Sequence, residues 1–408
     1  MPIIRSTAIR IKRFRELKES LRTNRDRLLV GIDIAKAQHV AQVRWTHTRV
    51  LDTQVTIPNT QAGFETFWGH LEQQRAATGL REIVCALEPT GTYHEALAQF
   101  LEAQGADVVL VCNHVAALNR RTLDRTWGKS DPKDAHKLGD LLGRGRVLFY
   151  SLPDAPVATL RRLVRLLRRA RTELAACKAR FRNTLLPSLG PAGEALPAPV
   201  VARLPAPLHR LLPPAQRGSA AEPDGDLPPA LAFELADLAA RVVSVRARIA
   251  QIETELVHVA TPLPAYRLLL SLPGVGLTLA AILLAELGDV AWYTEFSQLR
   301  MLAGLDIQRV ASGQWAGTAR ISRCGRPLLR WALYQAALGA ARTPAGRARR
   351  EALRAKRAGD PHAFFKATTE LGAKLLRLVW GVWRSGRPYE PSRLARAHAG
   401  GRERVPPR

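Results

Sequence analysis

The chain has 408 residues, of which 47% are hydrophobic, so it is long enough to form two or three domains with separate apolar cores. Its 61 Lys and Arg residues outnumber 35 Asp and Glu residues, and the net charge of +26 indicates a polyanionic partner. No apolar run reaches the roughly 18 residues of a membrane span, and the N-terminus has no uncharged leader. The sequence therefore predicts no membrane partner and a cytoplasmic location in a bacterial cell, near the nucleoid.

The four cysteines are far apart and form no CxxC pair. This spacing predicts small core residues in a reducing compartment, and it argues against a zinc site or a disulfide framework. The positive charge, by contrast, is concentrated in three stretches, residues 1–30, 158–185 and 342–408. Such clusters are typical of surfaces that bind nucleic-acid phosphates, although arginine-rich helices also occur as solvated faces.

The first half of the chain predicts a mixed α/β domain over residues 28–157, preceded by a basic N-terminal extension, residues 1–27. Three short strands at 28–35, 39–45 and 50–57 form an antiparallel meander, and strands and helices then alternate. The expected later elements are a helix at 60–77, a strand at 82–88, a helix at 93–104, a strand at 107–112 and a helix at 130–142 that begins at Ser130 as N-cap.

Two heptad seams follow, the first from Leu160 to Phe181 and the second from Leu231 to Val259. Between them, residues 187–229 contain eleven prolines and predict a linker or irregular loop. Residues 158–262 are therefore expected to form a helical hairpin or an intersubunit coiled coil. Because an apolar stripe of this length needs a partner helix, the seams favour self-association, but their spacing does not identify the partner.

Residues 263–385 predict a helical C-terminal domain, followed by a basic tail at 386–408. Near its start, the string LPGVG places Gly274 and Gly276 between two apolar helices. A turn of this kind resembles a helix-hairpin-helix and favours a phosphate contact through backbone N–H groups, although a plain tight turn has the same pattern. Farther along, Ser312 stands in a glycine-rich loop between two helical segments.

Four carboxylates are spaced for a metal site. Asp33 interrupts an apolar strand, Glu88 ends a second strand before a proline, and Asp131 and Asp134 are three residues apart on one helix. Each acid has an ordinary explanation, such as an edge residue or a charge pair at a helix N-terminus. Together they predict a site for hard divalent cations, Mg²⁺ or Mn²⁺, of the two-metal type that acts on phosphodiesters.

The order of these acids resembles that of an RNase H-like domain of the Holliday-junction-resolvase (RuvC) type. The strings GIDIAK, LEPTGTYH, KSDPKDAHKL, LPGVG and GLDIQRVASGQWAGTARISRCGRPLLRWAL resemble those of transposases of the insertion sequence 110 family, most closely its 1111 subgroup. The matching motifs run from about residue 28 to residue 340. The resemblance implies a domain carrying a DEDD acid set, coiled-coil helices and a C-terminal transposase domain carrying a serine.

In this family the DEDD acids correspond to Asp33, Glu88, Asp131 and Asp134, and the serine corresponds to Ser312. Ser322 is the competing serine, but an Ala-Ser-Gly string upstream of the Gly317, Ile321 and Gly325 run matches the family pattern at Ser312. The resemblance further implies an RNA-guided recombinase that cuts and rejoins donor and target double-stranded DNA. A structured noncoding RNA would be the guide, and the protein would act as a dimer or tetramer.

Basic residues near these motifs are expected to contact nucleic acid: Lys129, Lys133, Lys137, Arg161, Arg165, Arg168, Arg320 and Arg323. For the three lysines, ordinary helix surface charge is the alternative. Two other functions also fit the sequence. One is a structure-selective nuclease that uses the four acids and water without a serine, and the other is a non-catalytic nucleic-acid-binding scaffold.

Overall fold

The computed structural model describes residues 7–23, 25–46, 49–88, 92–111, 131–150, 155–185, 187, 204–211, 228–293, 295–308, 311–312, 315–317 and 319–391. Ser130, Lys129 and Cys112 lie outside these residues. The chain forms two compact units, Met1–Leu152 and Pro153–Arg408. The finer division made from the sequence stays a prediction.

The first unit follows the predicted order of helices and strands. Its elements are α1 (Thr7–Ser20), β1 (Arg27–Asp33), β2 (Gln38–Arg44), β3 (Val50–Pro58), α2 (Gln61–Thr78), β4 (Glu82–Leu87), α3 (His94–Ala103), β5 (Asp107–Leu110), α4 (Asp131–Gly143) and β6 (Leu148–Phe149). Helix α2 begins where the Thr60 hydroxyl accepts a hydrogen bond from the Gly63 N–H, and it ends at Gly79 in the left-handed conformation.

These strands form one mixed sheet in the order β3-β2-β1-β4-β5-β6. Strands β1, β4 and β5 are parallel, whereas β2, β3 and β6 run antiparallel to their neighbours. The predicted meander and the mixed α/β architecture are confirmed. Strand β6 was not predicted, because two residues are too few to show an alternating pattern.

Helices cover both faces of the sheet. Apolar side chains of α2 and α3 pack on one face, and those of α1 and α4 pack on the other. The basic N-terminal segment, expected to be a helical extension, contains α1, and this helix packs on the sheet. Its Leu17 and Leu21 are buried against the sheet, and Arg13 forms a 3.1 Å ion pair with Asp107. A basic helix therefore completes the core of the first unit.

The second unit begins with two long antiparallel helices, α5 (Ala155–Arg180), which continues into a π-helical turn (Phe181–Leu185), and α7 (Pro229–Ala260). Ion pairs join them along their length, including Arg171 to Glu253 at 2.5 Å and Arg180 to Glu234 at 3.7 Å. Most residues of the two heptad seams are buried. The seams therefore face each other within one chain, which settles the question that their spacing left open.

Part of the proline-rich segment belongs to the core at one end of this hairpin. The short helix α6 (Ala206–His209) presents Leu208, which packs with the neighbouring Leu204 and Leu211 against Phe181 and Leu235. The expectation of a linker is wrong for residues 204–211. Prolines set the backbone there, but leucines between them supply apolar area that the hairpin end buries.

The remaining elements are α8 (Pro264–Leu270), α9 (Leu277–Leu287), a 3₁₀ turn (Val290–Trp292), α10 (Phe296–Ala303), β7 (Ile307–Gln308), β8 (Ala311–Ser312), β9 (Trp315–Ala316), β10 (Arg320–Ile321), α11 (Pro327–Ala340), α12 (Pro344–Ala355) and α13 (Ala363–Ser385). They share one core with one end of the helical hairpin. None of the described helices combines the length and the apolar character needed to span a bilayer.

The cysteines follow the prediction only in part. Cys85 and Cys177 are buried free thiols, and burial raises the pKa of Cys85. Cys324 is exposed, so the prediction of a core residue is wrong there. It follows Arg323 in a tight backbone turn.

Candidate active site

Two of the predicted acids stand at the ends of neighbouring parallel strands. Asp33 is the last residue of β1, and Glu88 directly follows β4. The two strands pair in register up to Ile32 and Leu87, so the next residues along each strand are Asp33 and Glu88. Both side chains are half-buried. The same edge of the sheet therefore carries both carboxylates.

Helix α4 lies against β1 with almost no space between their backbones. A Cβ atom at Gly31 would come within 2.3 Å of the Gly139 nitrogen and 2.5 Å of the Ala135 carbonyl oxygen. Only glycine allows this approach. Leu29, two residues earlier on β1, shares a cluster with Leu141 and Leu142 at the end of α4. Moving along β1 toward Asp33 therefore leads along α4 toward its N-terminus, where Asp134 and Asp131 lie.

Asp134 is buried and its charge is balanced within the same helix. The Lys137 ammonium lies 3.3 Å from Asp134 Oδ1, and the two side chains are only 3% and 5% exposed, respectively. Lys137 was predicted to contact nucleic acid from the surface, and its burial instead places it beside a candidate catalytic carboxylate. Lys133 on the preceding turn is half-buried. The side chain of Asp131 and all of Lys129 lie outside the described residues.

The donor chemistry of this edge fits a hard divalent cation, because carboxylate oxygens are the ligands that Mg²⁺ and Mn²⁺ prefer. Among the described side chains, no three carboxylate, imidazole or thiol groups are close enough together to enclose a metal ion. Within the described residues, the cation that the structure places beside Asp134 is the Lys137 ammonium. The residues present therefore fit a cation by their chemistry, and the Lys137 ammonium balances the charge of Asp134.

A second buried polar cluster, which the sequence did not reveal, fastens α4 to β2. Arg44 is fully buried, and its guanidinium donates to Gln42 Oε1 at 2.5 Å, to His136 Nδ1 at 2.7 Å and to the His136 carbonyl oxygen at 3.1 Å. Because arginine only donates, His136 Nδ1 is the acceptor, and the neutral ring carries its proton on Nε2. Burial lowers the pKa of Arg44, and the negative charge of Asp140 opposes this shift. The cluster fixes α4 along the sheet, two residues beyond Asp134.

Ser312 lies on a narrow β-ribbon and not in an irregular loop. Strand β7 pairs with β10, and within that pair β8 pairs with β9, so that Ser312 stands opposite Trp315. The ribbon connects α10 to α11. The expected loop is thus a nested hairpin with Ser312 in its inner pair. In sequence, Ser312 lies well after the end of α10 and well before the start of α11.

Ser322, the competing serine, has a structural role at the base of the ribbon. Its hydroxyl donates to the Asp306 carboxylate and accepts from the Cys324 N–H at 3.2 Å, while its own N–H donates to the Asp306 carbonyl oxygen at 2.8 Å. Arg323, the next residue, has a left-handed backbone with φ of 57°. A hydroxyl that closes such a turn is already engaged on both sides, which favours Ser312 as the reactive serine.

The predicted phosphate-binding arginines differ in their surroundings. Arg165, Arg168, Arg320 and Arg323 are exposed, as such contacts require. Arg161 is half-buried, and its Nε donates to the Ala285 carbonyl oxygen at 2.9 Å. Burial lowers the pKa of Arg161, and the positive charge of Arg326 lowers it further. Arg161 therefore ties α5 to α9.

The two glycines of the LPGVG turn also differ. Gly274 has φ of 79°, and a Cβ there would lie 2.2 Å from the Ala336 carbonyl oxygen and from the Ala340 nitrogen. It is a packing residue, since α11 leaves no space for a side chain. Gly276 has no such neighbour and stands directly before α9. Of the two, Gly276 has the open surroundings that a phosphate contact needs.

Comparison with known proteins gives matches along most of the chain. The model of the DEDD transposase domain of IS110, described as a transposase, matches residues 30–188. A second model, described as "Transposase IS116/IS110/IS902 family", matches residues 266–352. A protein of Streptomyces clavuligerus, named "Insertion element IS116 uncharacterized 44.8 kDa protein", is 28% identical over 410 residues, which cover 91% of this chain and 98% of the relative.

Proposed function

Since the chain belongs to the IS110 family of transposases, we propose that this DNA transposase cuts and rejoins strands through Ser312, assisted by Asp33, Glu88, Asp131 and Asp134. The observation that carries the proposal is the placement of the acids. Asp33 and Glu88 end adjacent parallel strands, and the helix that carries Asp134 packs directly on β1. An RNase H-like fold is part of the proposal, supported by the strand order β3-β2-β1-β4-β5 with β2 antiparallel to β1.

The reaction at Ser312 is a transfer of a phosphoryl group between two oxygens. The hydroxyl oxygen attacks the phosphorus of a DNA strand, a serine–phosphate bond forms, and the bond to the leaving deoxyribose oxygen breaks. The serine proton passes to a base, and the leaving oxygen takes up a proton. Because the new bond is again a phosphodiester, a second attack by a strand end releases the serine and joins the strands without an external energy source.

The carboxylates of the first unit would hold Mg²⁺ or Mn²⁺, which neutralises the phosphate oxygens when bound. Asp134 would contribute from α4, where the Lys137 ammonium lies 3.3 Å from its carboxylate. Arg320 and Arg323, which are exposed and near Ser312 along the chain, would hold the DNA strand. Donor and target duplexes, a structured guide RNA and a dimer or tetramer complete the proposal.

The test of the serine is a covalent one. Wild-type protein, incubated with DNA of the element ends and a divalent cation, should give a protein–DNA adduct that survives denaturation. Ser312→Ala should form none, while Ser322→Ala should retain adduct formation if it still folds. An adduct that persists in Ser312→Ala removes this serine from the proposed role.

The acids are tested separately with Asp33→Asn, which keeps the shape of the side chain and removes its charge. We expect DNA cleavage to be abolished, while RNA binding, measured by gel mobility, stays close to that of wild type. An equal loss of RNA binding would show that Asp33 supports the fold and not the chemistry.

A second candidate function is a structure-selective nuclease that uses the four acids and water. One observation favours it: all four acids belong to the first unit, whereas Ser312 belongs to the second. Hydrolysis leaves free strand ends and no adduct. Divalent-dependent cleavage of branched DNA that is unchanged in Ser312→Ala would establish this alternative.

A further inference from the structure

One basic surface of the second unit has exposed aromatic rings that the proposed reaction does not use. We define the Arg–Phe surface by Arg347, Arg350 and Arg354 of α12 and by Phe364 and Phe365 of α13. The three arginines are spaced i, i+3 and i+7, so they line one face of their helix. Helix α12 has four arginines and a single acidic residue, Glu351. Its surface is therefore strongly positive.

The two phenylalanines are exposed next to this face. Phe365 is 60% exposed and Phe364 37%, with their ring centroids 5.7 Å apart and their planes nearly perpendicular. The buried stripe of α13 runs through Ala363, Ala367 and Leu371, and neither phenylalanine is part of it. Phe365 in particular leaves most of its ring surface in solvent. Exposed apolar groups within a charged rim are typical of a binding surface.

One arginine of the surface contacts one of its rings. The Arg350 guanidinium carbon lies 5.0 Å from the centre of the Phe364 ring, within the range of a cation–π interaction. Two nearby acids pair with other cations, Asp360 with Lys366 at 2.6 Å and Glu370 with Arg357 at 2.6 Å. The charge of the α12 arginines is thus not cancelled by these carboxylates.

We infer that the Arg–Phe surface binds an unpaired nucleic-acid strand, with bases stacked on Phe364 and Phe365 and phosphates held by the α12 arginines. Flat exposed rings beside cations suit a ligand that presents both π faces and negative charges. A duplex hides its base faces and offers only phosphates. A second copy of this chain would bring the same positive charges together, and repulsion opposes that arrangement. The inference shares with the proposed function only the premise of a nucleic-acid partner.

The experiment measures binding of the full chain to short fluorescent oligo(dT), oligo(U) and a blunt DNA duplex by anisotropy, with EDTA present so that no strand is cut. Replacing Phe365 with Ala should weaken oligonucleotide binding about ten-fold, since stacking contributes roughly 1–3 kcal/mol per base. Duplex affinity should change less than about two-fold. Phe365→Trp keeps a stacking ring and should restore binding.

The matched control is Phe233→Ala, because Phe233 is 75% exposed on α7. That variant should bind all three probes like wild type. Replacing Arg347, Arg350 and Arg354 with Gln should reduce the slope of log affinity against log salt by roughly 0.7 for each phosphate that these side chains no longer neutralise. The probe whose affinity falls further in Phe365→Ala, DNA or RNA, identifies the preferred strand.

Three results would overturn the inference. The first is a Phe365→Ala variant that binds every probe like wild type, and the second is a variant that loses duplex and single-strand affinity equally. The third is a change of oligomeric state in that variant by light scattering, which would make this surface a contact between copies of the chain. Because cleavage is blocked throughout, an inactive or active Ser312 leaves both readouts unchanged.

Discussion

The closest backbone approach in the candidate site makes a sharp test, because a single methyl group placed at Gly31 must move α4. In Gly31→Ala, the new Cβ would meet the Gly139 nitrogen at 2.3 Å, whereas ordinary contacts begin at 3.4 Å. The neighbouring atoms are backbone and cannot rotate away. Helix α4 must therefore move from the sheet by about 1 Å, and it carries Asp134 with it.

Two magnitudes follow. Forced repacking of this kind costs roughly 1–3 kcal/mol of unfolding free energy, which leaves the unit folded. A displacement of about 1 Å at a reacting centre reduces the rate on the order of 100-fold. Gly31→Ala should accordingly be folded but nearly inactive in adduct formation, with weaker Mg²⁺ binding.

Urea unfolding, calorimetric Mg²⁺ titration and the rate of adduct formation measure the three effects. The control is Gly69→Ala, since Gly69 lies within α2 with open space around it. That change should stabilise the protein by roughly 0.5–1 kcal/mol and leave the rate unchanged. If Gly31→Ala forms adducts within a few-fold of the wild-type rate, α4 does not position the catalytic acids.

Three other sets of substitutions test separate parts of the structure. Lys137→Met should cost roughly 3–5 kcal/mol of unfolding free energy, because it removes the ammonium beside buried Asp134. Adding Asp134→Asn should recover much of that loss. If urea unfolding shows that the losses of the two single variants add up in the double variant, the residues are not a coupled pair. Gly274→Ala should lower the melting temperature of the second unit, whereas Gly276→Ala should leave it unchanged and affect only DNA affinity. Equal melting temperatures of the two variants would contradict the packing role of Gly274. Burial lowers the pKa of His39 below 6.5, so the unfolded chain binds that proton more readily, and stability should fall as the pH drops below about 6.5. The unfolding free energy, measured in urea, should change less steeply with pH in His39→Gln. An unchanged slope would show that other groups cause the pH dependence.

The four acids could be selected as candidates from local signals in the sequence. Asp33 and Glu88 stand out in short strands of buried residues, and the helix that holds Asp134 has its own start signals. Strand order then follows from the alternation of elements. Each of these signals is local, because a few neighbouring residues are enough to show it.

The buried cluster around Arg44 could not be predicted for the opposite reason. Gln42 and Arg44 alternate with apolar residues along β2, which is the pattern of a strand with one face in water. The structure covers that face with α4, from a part of the chain some ninety residues away. Lys137 follows the same logic, since its spacing from Asp134 is also that of an exposed ion pair.

The ribbon around Ser312 and the packing of residues 204–211 could not be predicted for a different reason. Two-residue strands are too short for any period, so nested pairing is visible only in the backbone hydrogen bonds. In the proline-rich segment, the prolines dominate the composition. The leucines that pack on the end of the hairpin are few, and their burial depends on a cavity formed by distant helices.

The narrow ribbon has a consequence for the proposed reaction of Ser312. Each of its described pairings is two residues long, and Ile307 in the outer pair is 61% exposed. Such a segment opens at a free energy well below that of global unfolding. In the proposed reaction, the conformational entropy of ordering Ser312 is then lost on DNA binding and not on folding. Hydrogen exchange of the ribbon amides should therefore slow on DNA binding, while the helices on either side change little.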